Sequence, residues 1–203
     1  MARAQAASEP VHSKHDMPVA PNILARQFDP VAPNTAFVSD ITYIRTGAGW
    51  LYLPIVLDLF SRKVVGWAMA PNMPSSLVCD ALRMAIAQRR PQAGLIVHSD
   101  RGSQYASAQY QALLAQHGFI CSMSRKGNCW DNAVAERFFL NLKMERAWQR
   151  EYANHAEAKI DLASYIVGFY NNERLHSKLG NVPPAVFERN MAAKKPIDVS
   201  EFT

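Results

Sequence analysis

Three consecutive apolar-rich runs read as strands, Phe37–Arg45 (FVSDITYIR), Trp50–Leu59 (WLYLPIVLDL) and Lys63–Ala70 (KVVGWAMA). Gly47-Ala48-Gly49 and Ser61-Arg62 separate them, so the pattern predicts an antiparallel β meander. Pro54 stands inside the second run and cannot donate to a ladder, so a bulge or an unpaired position is expected there. A helix is predicted over Ser75–Arg90, opened by Pro74 and closed before Pro91. Leu95–His98 (LIVH) reads as a short buried strand, Ser103–His117 as a second helix stopped by Gly118, and Phe119–Met123 as another short strand. After the polar loop Ser124–Trp130, a long helix is expected over Asp131–Arg150, with Asp131 or Asn132 as its cap. Ala156–Asn171 places Ile160, Ala163, Val167 and Tyr170 at the spacing of an amphipathic helix. This order of elements predicts an α/β domain with a mixed sheet.

Composition sets the limits of that domain. Residues 1–35 hold five of the twelve prolines and show no period, the pattern of an extended linker or arm. Residues 36–150 then form the core, residues 151–190 a C-terminal helix and tail packed on it, and Met191–Thr203 a disordered end. With 49% apolar and 19% charged residues, the chain can bury a sizeable core. The longest apolar run, Trp50–Leu57, is far shorter than the roughly 20 residues a membrane helix needs. Met1–Lys14 lacks the apolar stretch of a secretory signal. Cys79, Cys121 and Cys129 form no CxxC pair, and their spacing with the histidines is not that of a zinc site. These features predict a soluble cytoplasmic protein with no membrane partner.

Charge changes the picture by its position. The chain carries a net +5, and residues 36–150 alone carry 13 basic and 7 acidic side chains. The excess therefore lies in the predicted core, which suggests a polyanionic partner such as nucleic acid.

Three acids stand out against this basic background. Asp40 is mid-strand, on the side of Val38, Thr42 and Ile44, where a buried carboxylate is costly unless a cation pairs with it. Asp100 follows an apolar strand at its carboxyl end, the usual location of sites in open α/β sheets. Glu136 lies early in the long helix, beside Ala135, Phe138 and Leu142. Three converging carboxylates repel one another unless a cation is bound, and all-oxygen ligands suit Mg²⁺ or Mn²⁺. Phosphoryl transfer uses such a set, with two metal ions roughly 4 Å apart. The 35 residues between Asp100 and Glu136 are weak support by themselves, because each acid alone also fits a turn, a strand edge or a helix surface.

The surrounding residues are more specific. DITYIRTGAGWLYLPIVLDLFSRKVVGWAM (Asp40–Met69), HSDRGSQY (His98–Tyr105) and SRKGNCWDNAVAERFF (Ser124–Phe139) resemble the integrase core of bacterial insertion-sequence transposases. The nearest group is the IS-three family, in its second open reading frame product, OrfB. The tail YNNERLHSKLGNVPPAVFE (Tyr170–Glu188) and the segment MPVAPNILARQF (Met17–Phe28) are similar too. This resemblance implies an RNase H-like, retroviral-integrase-like fold, a five-stranded mixed sheet flanked by helices. It implies a DDE triad at Asp40, Asp100 and Glu136 holding two divalent ions, and a basic residue matched by Lys143. Seven residues is nearly two turns, so Glu136 and Lys143 share a helix face. It further implies double-stranded DNA as substrate, at both transposon ends and target, and a homo-oligomer in the synaptic complex. Phe37 departs from the family's usual tryptophan, and Pro54 from its usual small residue. Met1–His12 leaves no room for the family's helix-turn-helix segment, so a truncated chain, a misassigned start and one part of a two-frame fusion stay open, with a partner protein from the upstream frame as a candidate carrier of that segment.

Arg101, Arg125, Lys126 and Asn128 flank the expected site on two loops, positions from which they would contact phosphates without reading sequence. Asp58 is expected to be structural, pairing with Arg62, and His98 and His176 to pack rather than shuttle protons. No Gly-rich phosphate loop is present, so ATP use is not expected. A nuclease that hydrolyses without joining, and a non-catalytic chain that binds DNA or a full-length partner, stay open as alternatives.

Overall fold

The computed structural model describes residues 16–126 and 128–194; the expectations for residues 1–15 and 195–203 lie outside them. Five strands form one sheet: β1 (Ala36–Thr46), β2 (Gly49–Asp58), β3 (Val64–Trp67), β4 (Ile96–Ser99) and β5 (Ile120–Met123). Their order is β3-β2-β1-β4-β5. The β1–β2 and β2–β3 pairs are antiparallel, whereas β4 joins β1, and β5 joins β4, in parallel. The meander therefore supplies one half of the sheet and two crossovers supply the other.

The period-2 pattern of β1 feeds two cores. Ala36, Val38 and Ile44 face one side, with Phe138, Leu142 and Tyr165. Phe37 faces the other, with Val78, Leu82 and Tyr110. Pro54 sits in register opposite Ile41 without disturbing β1–β2. Its carbonyl accepts from Ala68 N on the β3 side, so its missing N–H also faces β3. The β2–β3 ladder stops at Trp67 and returns only as a single bridge, Tyr52 to Ala70. The ladder thus opens where proline cannot donate, and the one register irregularity lies further on, at Val56/Leu57. Beyond β3, the buried Asn171 side chain acts as a short strand substitute, accepting from Val64 N and donating to Val64 O.

The helices depart from expectation in instructive places. The first, α1 (Ser75–Arg89), ends in a left-handed Arg90. The single helix expected over 103–117 is two, α2 (Ser103–Ala106) and α3 (Ala108–Gln116). Ser107 is extended between them, and its hydroxyl accepts from Tyr110 N as an N-cap. The helix expected over 131–150 begins later, as α4 (Ala133–Glu145), after a 3₁₀ turn Cys129–Asn132. Asn132 holds the N-cap position, but its side chain makes no cap bond. Arg146 breaks the helix, and a 3₁₀ turn Ala147–Gln149 follows. The amphipathic helix is α5 (His155–Ser164), which loosens into a π-helix over Tyr165–Tyr170. A further helix, α6 (Pro184–Ala193), occupies the segment expected to be tail and runs into the end expected to be disordered. No described helix is long and apolar enough to cross a membrane.

Asp58 is fully buried and structural, but its cation is Arg89, at 2.9 Å, rather than Arg62. Arg62 has a left-handed backbone and turns instead to Asp29 at 2.7 Å and to the carbonyls of Phe28 and Leu59. His98 is buried between Ser122 Oγ and Ser124 Oγ, at 2.8 and 3.2 Å. Burial pushes its pKa down to about 4, so it is a neutral packing residue. His176 meets the Tyr170 hydroxyl at 3.1 Å, and burial likewise lowers it to about 4.

Gly66 on β3 allows α1 to lie close. A Cβ there would overlap the Ala81 carbonyl oxygen and come within 2.8 Å of Ala85 N. Both atoms belong to the α1 backbone and cannot swing aside, so Gly66→Ala should destabilise the fold by about 2–3 kcal/mol. A lower urea midpoint at unchanged m-value checks this.

Candidate active site

The parallel β1–β4 ladder ends at the pair Ser39 and Ser99. Asp40, within β1, and Asp100, just past the end of β4, are the next residues, so the pairing register sets them side by side in the middle of the sheet, where β4 ends. Neighbouring strands lie about 4.8 Å apart, which puts the two acids within each other's field. Both are half-buried. Asp40 Oδ1 accepts from Ile41 N at 2.7 Å, and Asp100 Oδ1 accepts from Gly102 N at 2.9 Å. A side chain on Gly102 would crowd Asp100, since its Cβ would lie 3.0 Å from Oδ1.

Glu136 stands on the exposed side of the first turn of α4, a helix that packs on β1. The Asp40 carboxyl is pushed well above the ordinary carboxylate range, by burial first and then by the charge of Asp100. Glu136 adds to the rise, while the Ile41 amide and Lys143 oppose it. The three acids and Lys143 therefore act on one point. Burial also raises the Glu136 carboxyl. Lys143 Nζ lies 5.1 Å from the Tyr43 ring centroid, a cation–π distance.

The donor set consists of carboxylate oxygens that repel one another, the chemistry that hard divalent cations relieve. Among the described residues, no group of three or more histidine, cysteine or acidic side chains is already gathered at metal-holding distances. Asp40 and Asp100 are the preset pair, and Glu136 is the outlying member.

Beneath the pair lies Tyr105, which has no conspicuous sequence signal. Its hydroxyl is 3.1 Å from Ser39 Oγ, which itself donates to Ile55 O at 2.8 Å. Burial and the charges of Asp40 and Asp100 hold this phenol well above its usual pKa, so it stays a neutral hydrogen-bonding floor.

Asp131 has a different role from the expected helix cap. Its side chain is fully buried. Arg125 donates to it from Nε at 2.9 Å, Nη2 at 2.8 Å and backbone N at 3.0 Å. Arg26 Nε at 2.8 Å and Asn22 Nδ2 at 2.9 Å complete the clamp from the segment before β1. Ile23 N and Leu24 N both donate to Ser122 Oγ on β5, at 2.9 and 3.0 Å. The segment over residues 21–26 is thus strapped to β5 and to the loop that leads into α4. Of the cations expected to meet DNA, Arg125 is committed to Asp131, and Arg101 Nε donates to Ser124 O at 2.6 Å. Asn128 Oδ1 accepts from Arg26 Nη2 at 2.9 Å, while Lys126 is exposed in the turn.

The mixed five-stranded sheet thus sets Asp40 of β1 beside Asp100 after β4, with Glu136 on the helix packed against β1. Family models described as "Integrase core domain" match residues 30–129 and 117–184. The chain is 44% identical over 193 residues to the transposase InsF for insertion sequence IS3A of Escherichia coli K12, covering 94% of this chain and 67% of that one. It is 47% identical over 176 residues to the uncharacterized 31 kDa protein of insertion element IS600 from Shigella sonnei, covering 87% and 65%. The chain belongs to the IS3-family transposases and carries their integrase core; it spans about two thirds of these relatives' lengths. In fold it resembles a chain of the simian T-cell lymphotropic virus intasome solved with PP2A regulatory subunit B56 gamma, with TM-score 0.66, 18% identity and 91% and 61% coverage. The HTLV-2 integrase catalytic core, solved in complex with magnesium, gives TM-score 0.52 at 17% identity over 72% and 92% of the chains. The RNase H-like fold of these cores is the fold of this chain.

Because Asp131 accepts five hydrogen bonds, its carboxyl lies far below the usual range, chiefly through the Arg125 guanidinium. A depressed folded pKa contributes stability fully above the unfolded value near 4, and that contribution is lost progressively as pH falls from there to the lower folded value. Asp131→Asn should therefore cost about 1–3 kcal/mol at pH 7. The gap from the parent should stay level between pH 5 and 8 and narrow below about 4. Urea titrations across that range measure it.

Proposed function

We propose that this chain catalyses metal-dependent cleavage and strand transfer of DNA at insertion-sequence ends. The observation that carries this reading is the β1–β4 register, which ends one residue before both aspartates. Asp40 and Asp100 hold divalent metal, Mg²⁺ or Mn²⁺, and Glu136 completes the ligand set for two ions. When bound, such ions activate the attacking oxygen and stabilise the leaving one. Lys143 steadies a phosphate beside the acids, which fixes the phosphodiester for in-line attack. Water first adds to phosphorus as the P–O3′ bond breaks, leaving a 3′-hydroxyl. That hydroxyl then attacks a target phosphodiester, one P–O bond forms as another breaks, and no nucleotide cofactor is consumed. Residues 36–150 are the catalytic unit and residues 151–190 a support. The substrate is double-stranded DNA, the working form is a homo-oligomer, and a helix-turn-helix partner from the upstream frame assists end recognition. The setting is the bacterial cytoplasm, at the nucleoid.

Asp40→Asn, Asp100→Asn and Glu136→Gln should each lower strand transfer by about a hundredfold or more and weaken Mn²⁺ binding in titration calorimetry. Full activity in any of the three removes that residue from the mechanism. A pre-cut 3′-hydroxyl end offered with a target duplex should yield a joined product; cutting without joining would make the chain a nuclease. Lys143→Ala should weaken DNA binding and reduce the slope of log K against log salt by about one.

A further inference from the structure

Glu136 stands apart from the Asp40–Asp100 pair, so whatever fixes the start of α4 decides where its carboxyl lies. No side chain caps that helix: Asn132 makes no cap bond, and its buried Oδ1 has no partner among the described residues. The anchor is Asp131, one residue earlier. Three of its five hydrogen bonds come from Arg125, six residues away on the same loop, and close that loop on itself. The other two come from Arg26 Nε and Asn22 Nδ2, 105 and 109 residues away, and tie the loop to another part of the protein. Arg26 Nη2 also donates to Asn128 Oδ1 at 2.9 Å.

The segment that supplies these donors is rigid. Ala25 and Arg26 are both left-handed, with φ of 46° and 65°, a conformation that non-glycine residues keep only where their surroundings fix it. Asn22 Oδ1 accepts from Ala25 N at 2.9 Å, and Leu24 O accepts from Gln27 N at 2.8 Å. Leu24 is buried in the same core cluster as Phe138 and Leu142 of α4, with Val134 packed against that cluster. The strained turn therefore has hydrogen bonds on one side and the core on the other, and it sets Arg26 between Asp131 and Asn128.

We propose that Arg26 and Asn22 are positioning residues, which through Asp131 set the first turn of α4 so that the Glu136 carboxyl reaches a cation held by Asp40 and Asp100. This rests on the metal-dependent reading above and names what presents its third ligand. A ligand on an unanchored helix end has to be ordered each time an ion binds, which weakens the site. A ligand on an anchored end is ordered beforehand, as the outer partners of metal ligands achieve elsewhere.

The test uses the full chain with Mn²⁺ as the probe. Asn22→Ala combined with Arg26→Ala leaves Asp131 its three bonds from Arg125, so the buried carboxylate stays paired. In titration calorimetry the binding step that Glu136→Gln weakens should weaken in this variant too, roughly tenfold. The Mn²⁺ concentration for half-maximal strand transfer should rise to match, with kcat recovering at saturating Mn²⁺, whereas Glu136→Gln should not recover. Arg26→Lys, which keeps the charge and loses the planar fork, should fall between. Without metal, amide exchange over residues 133–137 should quicken in the double variant. It should stay parental in Arg83→Ala, which breaks only an exposed pair with Asp80 on α1. A lower melting temperature with parental Mn²⁺ affinity would overturn the proposal, making the contact a stabilising one only. Tighter Mn²⁺ binding would overturn it as well, making the contact a restraint. Should the double variant fail to fold, Asn22→Ala and Arg26→Lys alone carry the same comparison. If Glu136→Gln itself binds Mn²⁺ as the parent does, the metal reading of Glu136 fails and this proposal with it. A loss in Glu136→Gln that the double variant does not share overturns the proposal alone.

Discussion

Two carboxyl groups are fixed next to each other by a hydrogen-bond ladder that cannot be shifted by one residue. With both ionised, at about 5 Å and an effective dielectric of 20, such a pair would repel by about 3 kcal/mol. The fold tolerates this because β1 is the central strand, paired on both sides and packed on both faces. Phe37 and Val38, just before Asp40, are fully buried on opposite faces. A slip of β1 against β4 would turn every one of its side chains to the wrong layer. The repulsion is expressed at Asp40, whose carboxyl holds its proton well above the ordinary carboxylate range.

The second constraint is the buried Asp131. Five donors from two segments converge on one carboxylate, which joins the segment before β1, the loop after β5 and the start of α4. Since α4 carries Glu136 and Lys143, the strap over residues 21–26 and the third acid share an anchor. A force on the segment before β1 is transmitted to the loop before α4 through Arg26 and Asn22, without passing through the hydrophobic core.

Sequence reading succeeds where a local pattern decides the structure. The three meander strands are apolar-rich runs bounded by turn residues, so β1 and β2 are legible to within a residue or two. The acids are legible as individuals, but their meeting depends on the β1–β4 register, which no local pattern encodes. Misreadings fall where a distant group overrides a local preference. Asp131 has the residue type of a helix cap, yet two arginines draw it inward and α4 starts later. Asp58 has Arg62 nearby in sequence, but the turn points that arginine at Asp29, and Arg89 arrives from α1. The break at Ser107 and the helix after Pro183 did carry signals, a capping serine and a proline at the first helical position. Both were masked by longer apparent patterns around them.

The basic excess of the core also changes meaning once its members are placed. Arg62, Arg89 and Arg125 are paired with Asp29, Asp58 and Asp131, two of these acids being fully buried. Those arginines neutralise the cost of internal acids and add little field at the surface. The count of cations thus overstates the surface available to a polyanion, and what matters is which ones face solvent. Lys126 and Arg137 are exposed on the loop and helix that frame the carboxylates, and Arg45 lies toward the far end of β1. A polyanion meeting this face finds cations at the rim and carboxylates at the centre. Phosphate and these carboxylates carry charge of the same sign, so under the proposed function a divalent cation and DNA would meet at the same point of the charge layout.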